Sequence, residues 1–307
     1  MPDAAPGAQH VAVIGAGGIG GFLAAELCGA GHNVTLCVRT PIEQLVVESA
    51  GRSRVVPVCI ATDPAVQHPV PWIVVATKVQ DTASAGVWLS HLSEPASVVV
   101  VLQNGIDHHA RVAPFVRGAT VLPALSYAAV ERIAPGHVVH HKGHQIIVPE
   151  GDTAFRLAEL LSGSTIDVLQ EHDFTTAVWR KLLSNIVANP ITTLTLQRIG
   201  VMNDPDIHKL ALGLVREGAL VARAEGAHLT LPDADKIVEE FASYSPDGGS
   251  SMLYDRLSGR PLEHEFLTGA VVRVAERHGI STPLNCAVLA LLRALDRSRH
   301  SDVSSRT

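Results

Sequence analysis

The chain has 307 residues, a length suited to about two domains, and its 47% hydrophobic and 18% charged content excludes a disordered chain. A formal net charge of −6 with no basic stripe leaves phosphate attraction without a source, and no apolar run reaches the roughly 18 residues of a membrane span. Neither nucleic acid nor a membrane is therefore expected as a partner.

Residues 1–10 lack the basic and apolar regions of a signal peptide, and Cys28, Cys37, Cys59 and Cys286 are scattered with no CxxC spacing. Both features fit a soluble cytoplasmic protein with reduced cysteines. From residue 10 to about 149, β-branched runs alternate with helical stretches, as in a parallel sheet with crossover helices. The predicted strands are residues 10–14, 33–38, 55–59, 72–76, 97–102 and 120–125. A strand-rich stretch at 137–148 follows, read as an antiparallel extension of the same sheet.

Beyond about residue 171 the hydrophobic period becomes 3.6, predicting helices over 174–188, 207–224, 236–242, 262–275 and 285–295. Pro205, Pro261 and Pro283 fall where a first helical turn tolerates proline, and Gly226 and Gly279 fall where helices end. The expected fold is an α/β Rossmann-type N-terminal domain over 1–171 followed by an all-α C-terminal domain over 172–307, with the boundary near 170–173. The polar tail at 297–307 is expected to fray.

The run from His10 to Gly20, HVAVIGAGGIG, is GxGxxG directly after an apolar strand and directly before a helical pattern. In that context Gly15 permits the tight turn, Gly17 lets a pyrophosphate approach the backbone, and Gly20 lets helix and strand pack closely. The helix N-terminus then receives the anion. The second strand ends at Arg39, and no Asp or Glu stands between Gly31 and Pro41. A basic residue there neutralises a ribose 2′-phosphate, whereas an acidic one accepts from the 2′-hydroxyl, and so NADP(H) is the expected cofactor. Lys78 and Asn104 follow two further strands and fall on the sheet edge that binds ligands in open α/β folds.

In the second half, Lys181, Asn185 and Asn189 recur at i, i+4 and i+8, so one helix face presents an amine and two amides. That row either faces solvent or lines a cleft; asparagine is a poor helix former and needs a reason to be there. A Gly–Ser loop at 248–251 leads into a short helix, and Glu263 falls in the first turn of the helix that Pro261 is expected to open. There it would complement the helix dipole, or serve the same cleft. The sixteen histidines include His137, His140, His141 and His144, but alternation puts His140 on the opposite strand face from its neighbours, and no metal site is expected.

Taken together, these pieces resemble the ketopantoate reductase family, the 2-dehydropantoate 2-reductases. The matching runs are Gly15 to Gly20 (GAGGIG), Val34 to Arg39 (VTLCVR), Thr77 to Gln80 (TKVQ), Gln103 to Gly105 (QNG), Lys181 to Asn185 (KLLSN) with Asn189-Pro190, Ser250 to Asp255 (SSMLYD), and Glu263 in LEHEFL. The resemblance covers nearly the whole chain. It implies NADPH-dependent reduction of 2-dehydropantoate to pantoate, a step of pantothenate biosynthesis, with Lys181 as general acid and Glu263 beside it in catalysis. It also implies that Gly15, Gly17, Gly18, Ile19, Gly20, Arg39, Lys78 and Asn104 hold the cofactor. Asn104, Lys181, Asn185, Asn189, Ser251 and Glu263 would bind a small 2-oxo acid, and the resemblance leaves a homodimer open.

Two positions depart from the family pattern. Ile199 stands roughly where a further substrate-facing asparagine is expected, and Gly248 stands where asparagine often precedes the Ser-Ser-Met-Leu run. A relative acting on a different 2-oxo acid or carbonyl compound, and a non-catalytic NADP(H)-binding sensor, are the alternatives.

Overall fold

The computed structural model describes the backbone of residues 7–304 and the side chains of residues 7–297; the tail expected to fray is helical in its described backbone as far as residue 304, past the expected helix end at 295. The chain forms two compact units, residues 1–103 with 107–174, and residues 104–106 with 175–307.

In chain order, the first unit begins with β1 (His10–Ile14), α1 (Gly18–Gly29), β2 (Asn33–Cys37), β3 (Leu45–Ser49), β4 (Arg52–Val56), β5 (Cys59–Ala61) and β6 (Trp72–Val75). It continues with α2 (Thr82–Leu92), β7 (Val98–Val101), α3 (His108–Val112), β8 (Thr120–Pro123), β9 (Leu125–Ser126), β10 (Ala129–Ala134), β11 (His137–Lys142), β12 (Gln145–Pro149), α4 (Asp152–Leu160) and β13 (Asp167–Glu171). Six strands make a parallel sheet in the order β5-β2-β1-β6-β7-β8. Its central strands are buried along their length, which is why β7 can be four consecutive valines rather than an alternating pattern. This is a Rossmann-type sheet. The chain leaves β1 for β2 on one side and later returns to β6 on the other, so the strand order reverses at the crest of β1, where such sheets bind ligands.

The stretch at 137–148 is not an extension of that sheet. β11 pairs antiparallel with β10 and parallel with β3 in a separate four-stranded sheet, while β12 lies between β13 and β9 in a three-stranded one. The expected strand at 55–59 divides into β4 and β5 around Pro57, which has no N–H for a ladder. His140 is buried on its strand, stacked on Phe22 of α1 at 4.2 Å, with its ring nitrogens bonded to Ser49 and the Gly143 carbonyl.

The second unit is helical: α5 (Phe174–Thr195), α6 (Pro205–Ala224), α7 (Leu231–Glu239), α8 (Ser251–Leu257), α9 (Thr268–His278) and α10 (Pro283–Ser304), with short 3₁₀ turns. α6 starts on an Asp204 cap and Pro205, and α9 ends at Gly279 in the left-handed conformation. Pro261 opens no helix. Residues 258–267 are turn and irregular backbone, and α9 starts only at Thr268. α5 continues through Pro190 to Thr195, past the expected end at 188. Leu182, Leu183, Ile186, Val187 and Ile191 are all at most 3% exposed and hold it in the unit's core, which outweighs the one helical hydrogen bond that proline removes. No helix among the described residues is long and apolar enough to cross a membrane.

Packing fixes the glycines at the crest of β1. A Cβ on Gly20 would collide with the Gly15 carbonyl oxygen and lie 3.1 Å from the Ala76 Cβ. Gly20→Ala is therefore expected to cost at least about 2 kcal/mol, read as a lowered denaturation midpoint, whereas an unchanged midpoint would show that this close approach is not needed.

Candidate active site

At the carboxyl edge of the large sheet, Gly15 takes φ +105°, a conformation that side chains resist, and turns the chain out of β1. Gly18 is also a packing position, since a Cβ there would lie 2.6 Å from the Val130 carbonyl oxygen of β10. Gly17 differs: the nearest atom to a Cβ on it would be the Ala76 carbonyl oxygen at 3.9 Å, so space lies open above its backbone. Gly17 is the N-cap of α1 and offers no side chain to the helix's first N–H groups, and Ile19 packs against the core beneath them. An open backbone cradle over uncapped N–H groups is the environment a pyrophosphate needs.

Arg39 lies just beyond β2, exposed, with its guanidinium 3.5 Å from the Asp81 carboxylate. Lys78 follows β6 in a loop held by Gln103, a buried residue that motif reading singled out only as a neighbour of Asn104. The Gln103 amide donates to Thr77 Oγ1 at 3.0 Å, to Thr82 Oγ1 at 3.0 Å and to the Lys78 carbonyl at 3.3 Å, and its carbonyl oxygen accepts from Arg111 at 3.2 Å. One side chain thus fixes the loop after β6 to the end of β7.

Residues 104–106 cluster with the helical unit, where Asn104 Nδ2 donates to Glu263 Oε2 at 3.2 Å. Glu263 is 3% exposed. Because it precedes a turn and not a helix, dipole compensation does not account for it; its own carbonyl accepts from the N–H groups of Phe266 and Leu267. The loop is braced by Asp255 at the end of α8, whose buried carboxylate accepts from Arg260 Nε at 2.9 Å and whose carbonyl accepts from Arg260 N–H at 2.8 Å. Sequence spacing did not single out this pair, although a charged pair five residues apart across a Gly turn is a signal for it.

On α5 the polar row is assembled as a set. Asn189, 2% exposed, donates to Asn185 Oδ1 at 3.3 Å, and its own Oδ1 accepts from Ser251 Oγ at 3.2 Å and Met252 N–H at 3.0 Å. Asn189 therefore ties α5 to the start of α8 and occupies the Asn185 Oδ1. Ser250 caps α8 by accepting from Leu253 N–H at 3.1 Å, and its hydroxyl lies 2.7 Å from that of Thr192. One turn before Asn185, Lys181 is partly buried, and burial lowers its amine from the ordinary 10.5 to about 8. Ile199, 6% exposed, bonds through its backbone N–H to the Gly248 carbonyl at 2.8 Å, so the two departures are neighbours.

The comparisons with known proteins decide the family. The ketopantoate reductase PanE/ApbA model matches residues 11–153, and its C-terminal counterpart matches residues 173–296. The chain belongs to the ketopantoate reductase family. It is thus an oxidoreductase, and the non-catalytic alternative gives way to that. A 2-dehydropantoate 2-reductase of Caulobacter vibrioides is 37% identical over 288 residues, covering 92% of this chain and 98% of that protein. A dimeric ketopantoate reductase from Staphylococcus aureus shares the fold with TM-score 0.84 at 27% identity, covering 94% of this chain and 99% of that one. A D-mandelate dehydrogenase solved with NADH and anilino(oxo)acetate matches with TM-score 0.89, covering 95% and 100% of the two chains; at 22% identity that likeness speaks for the fold alone.

Two outcomes follow from this family member's geometry. Losing the Asn189 side chain leaves the Met252 N–H and the Ser251 hydroxyl without their acceptor, so Asn189→Ala should cost about 1–3 kcal/mol in chemical denaturation; a cost near zero would mean the tie between α5 and α8 is dispensable. Lys181 releases its proton at a lower pH folded than unfolded, so between about 8 and 10.5 the unfolded chain binds the extra proton and stability rises with pH. Below 8 the whole penalty applies. Lys181→Met should raise stability at pH 7 by about 1–3 kcal/mol and abolish that rise, and a wild-type stability curve flat from pH 8 to 10.5 would contradict it.

Proposed function

We propose that this enzyme reduces 2-dehydropantoate to pantoate with NADPH, that residues 1–171 bind the cofactor and residues 172–307 the substrate, and that it works as a cytoplasmic homodimer. The observation that carries the reading is Lys181, an amine brought to about 8 by burial, in line with Asn185 on a helix whose apolar face lies in the core. The reductase relatives support the substrate, and the dimeric Staphylococcus aureus protein supports the assembly.

The cofactor's residues are Gly15, Gly17, Gly18, Ile19 and Gly20 at the crest of β1, with Arg39, Lys78 and Asn104. Open space at Gly17 and the uncapped start of α1 suit the pyrophosphate, and Arg39 suits a 2′-phosphate. When bound, the reduced nicotinamide supplies hydride to the C2 carbonyl of the 2-oxo acid. Lys181 as ammonium polarises the carbonyl oxygen and donates the proton that completes the alcohol. With its pKa near 8 the amine remains protonated by about ten to one at pH 7, yet gives up its proton far more readily than an exposed lysine. Asn185 donates to substrate oxygen, Ser251 binds beside it, and Asn189 positions both. Glu263, held by Asn104, accepts from the substrate hydroxyl or orients the lysine.

A different 2-oxo acid is a second reading, favoured by one observation: Ile199 and Gly248, neither of which has a polar side chain, are hydrogen-bonded neighbours. A site without that hydrogen-bonding capacity loses discrimination for a substrate hydroxyl.

Initial rates of NADPH oxidation with 2-dehydropantoate, set against NADH and other branched 2-oxo acids, test the reading. Lys181→Ala is expected to lower kcat about 10²- to 10⁴-fold. In the wild type kcat should fall about tenfold per pH unit above about 8, as the general acid loses its proton. Full activity in Lys181→Ala, or a rate flat to pH 10, would remove the lysine from the chemistry; faster turnover of another 2-oxo acid would select the second reading.

A further inference from the structure

The residue facing Arg39 is a carboxylate. β2 and β6 flank β1 on opposite sides, and Arg39 just beyond β2 meets Asp81, six residues beyond the end of β6, so this ion pair spans the glycine-rich crest of β1. The guanidinium is 78% exposed and the carboxylate 38%, leaving both open to a ligand. Asp81 stands at the start of α2 but makes no side-chain cap bond to it, and the hydrogen bond with Ser84 Oγ uses its carbonyl oxygen. Its carboxylate is turned to Arg39 instead of to its own helix.

In a sheet of this kind the end of the second strand meets the ribose that carries the adenine, where a carboxylate accepts from a 2′-hydroxyl and a guanidinium binds a 2′-phosphate. This chain offers both groups in contact with each other. We infer that Asp81 is a specificity-determining residue for the cofactor: its carboxylate competes with an adenosine 2′-phosphate for the Arg39 guanidinium, weakening preference for the phosphorylated dinucleotide. The inference rests on reading the glycine-rich crest as a dinucleotide site. A 2′-phosphate entering beside Arg39 displaces the carboxylate or shares the guanidinium with it, and two anions on one cation repel. A 2′-hydroxyl brings no charge and leaves the pair intact. The pair is solvent-exposed, so its effect is modest and sensitive to salt.

Calorimetric titration of the full-length protein with 2′,5′-ADP and with 5′-AMP, each at low and at about 0.5 M salt, tests this without turnover. Asp81→Asn should tighten 2′,5′-ADP about two- to fivefold at low salt, by less at high salt, and leave 5′-AMP unchanged. An unchanged 2′,5′-ADP affinity, or an equal change for both probes, would overturn the inference. A carboxylate that only complements the α2 dipole would shift the melting temperature and move neither affinity, which counts against it equally. Arg39→Ala examines the cofactor reading separately. Loss of a wild-type preference for 2′,5′-ADP in that variant supports Arg39 as the phosphate anchor, while no preference to lose refutes NADP(H) selectivity and leaves the Asp81→Asn comparison decisive. Failure of both probes to bind the wild type would remove the site and the inference with it.

Discussion

A helix whose broad apolar face is packed in a core brings the polar side chains beside that face to the margin of the core, and those that stand there must be served by their neighbours. α5 is such a helix. Leu182, Leu183, Ile186 and Val187 are at most 1% exposed, and beside them one row carries Lys181, Asn185 and Asn189. Around it the chain supplies the Ser251 hydroxyl and the Met252 N–H to Asn189, and sets the Ser250 hydroxyl against that of Thr192. The partly buried lysine destabilises the fold at neutral pH, and the same desolvation is what makes it a proton donor of useful strength.

The large sheet imposes a complementary constraint. Parallel strands place all their carboxyl ends on one edge, so residues far apart in sequence, Gly15, Arg39, Lys78 and Gln103, come to a common rim. Close packing at Gly20 and Gly18 sets the shape of the loop after β1, whereas Gly17 is the position left open. Gln103 then joins the loop after β6 to the end of β7, and the next residue, Asn104, clusters with the helical unit and bonds Glu263.

The parts of this arrangement that sequence made legible are those with strong local chemistry. β1 and α1 follow from an apolar run meeting three spaced glycines, and the polar row of α5 follows from a 3.6-residue period. β3, β10 and β13 escaped because LVVES, AVERIA and DVLQE are short and mostly half-buried, with no clean alternation. α7 begins at Leu231, five residues ahead of the start that hydrophobic period alone predicts. Its signal was the capping box of Thr230 and Asp233 ahead of the apolar period, which pulls the helix start back to Leu231. Pro261 misled because proline's fixed φ suits extended backbone as well as a first helical turn. Asp81 and the Asp255–Arg260 pair were invisible for a different reason: each depends on where a side chain turns, which spacing does not encode.

The protonation of the Lys181 amine is open to direct observation. The chain has only five lysines, Lys78, Lys142, Lys181, Lys209 and Lys236, so NMR titration of 13Cε-labelled lysine, assigned with Lys181→Met, resolves them individually. Lys181 should titrate near 8, well below an exposed lysine near 10.4. A Lys181 resonance titrating with the exposed lysines would contradict it, and would return the polar row of α5 to a solvated helix face.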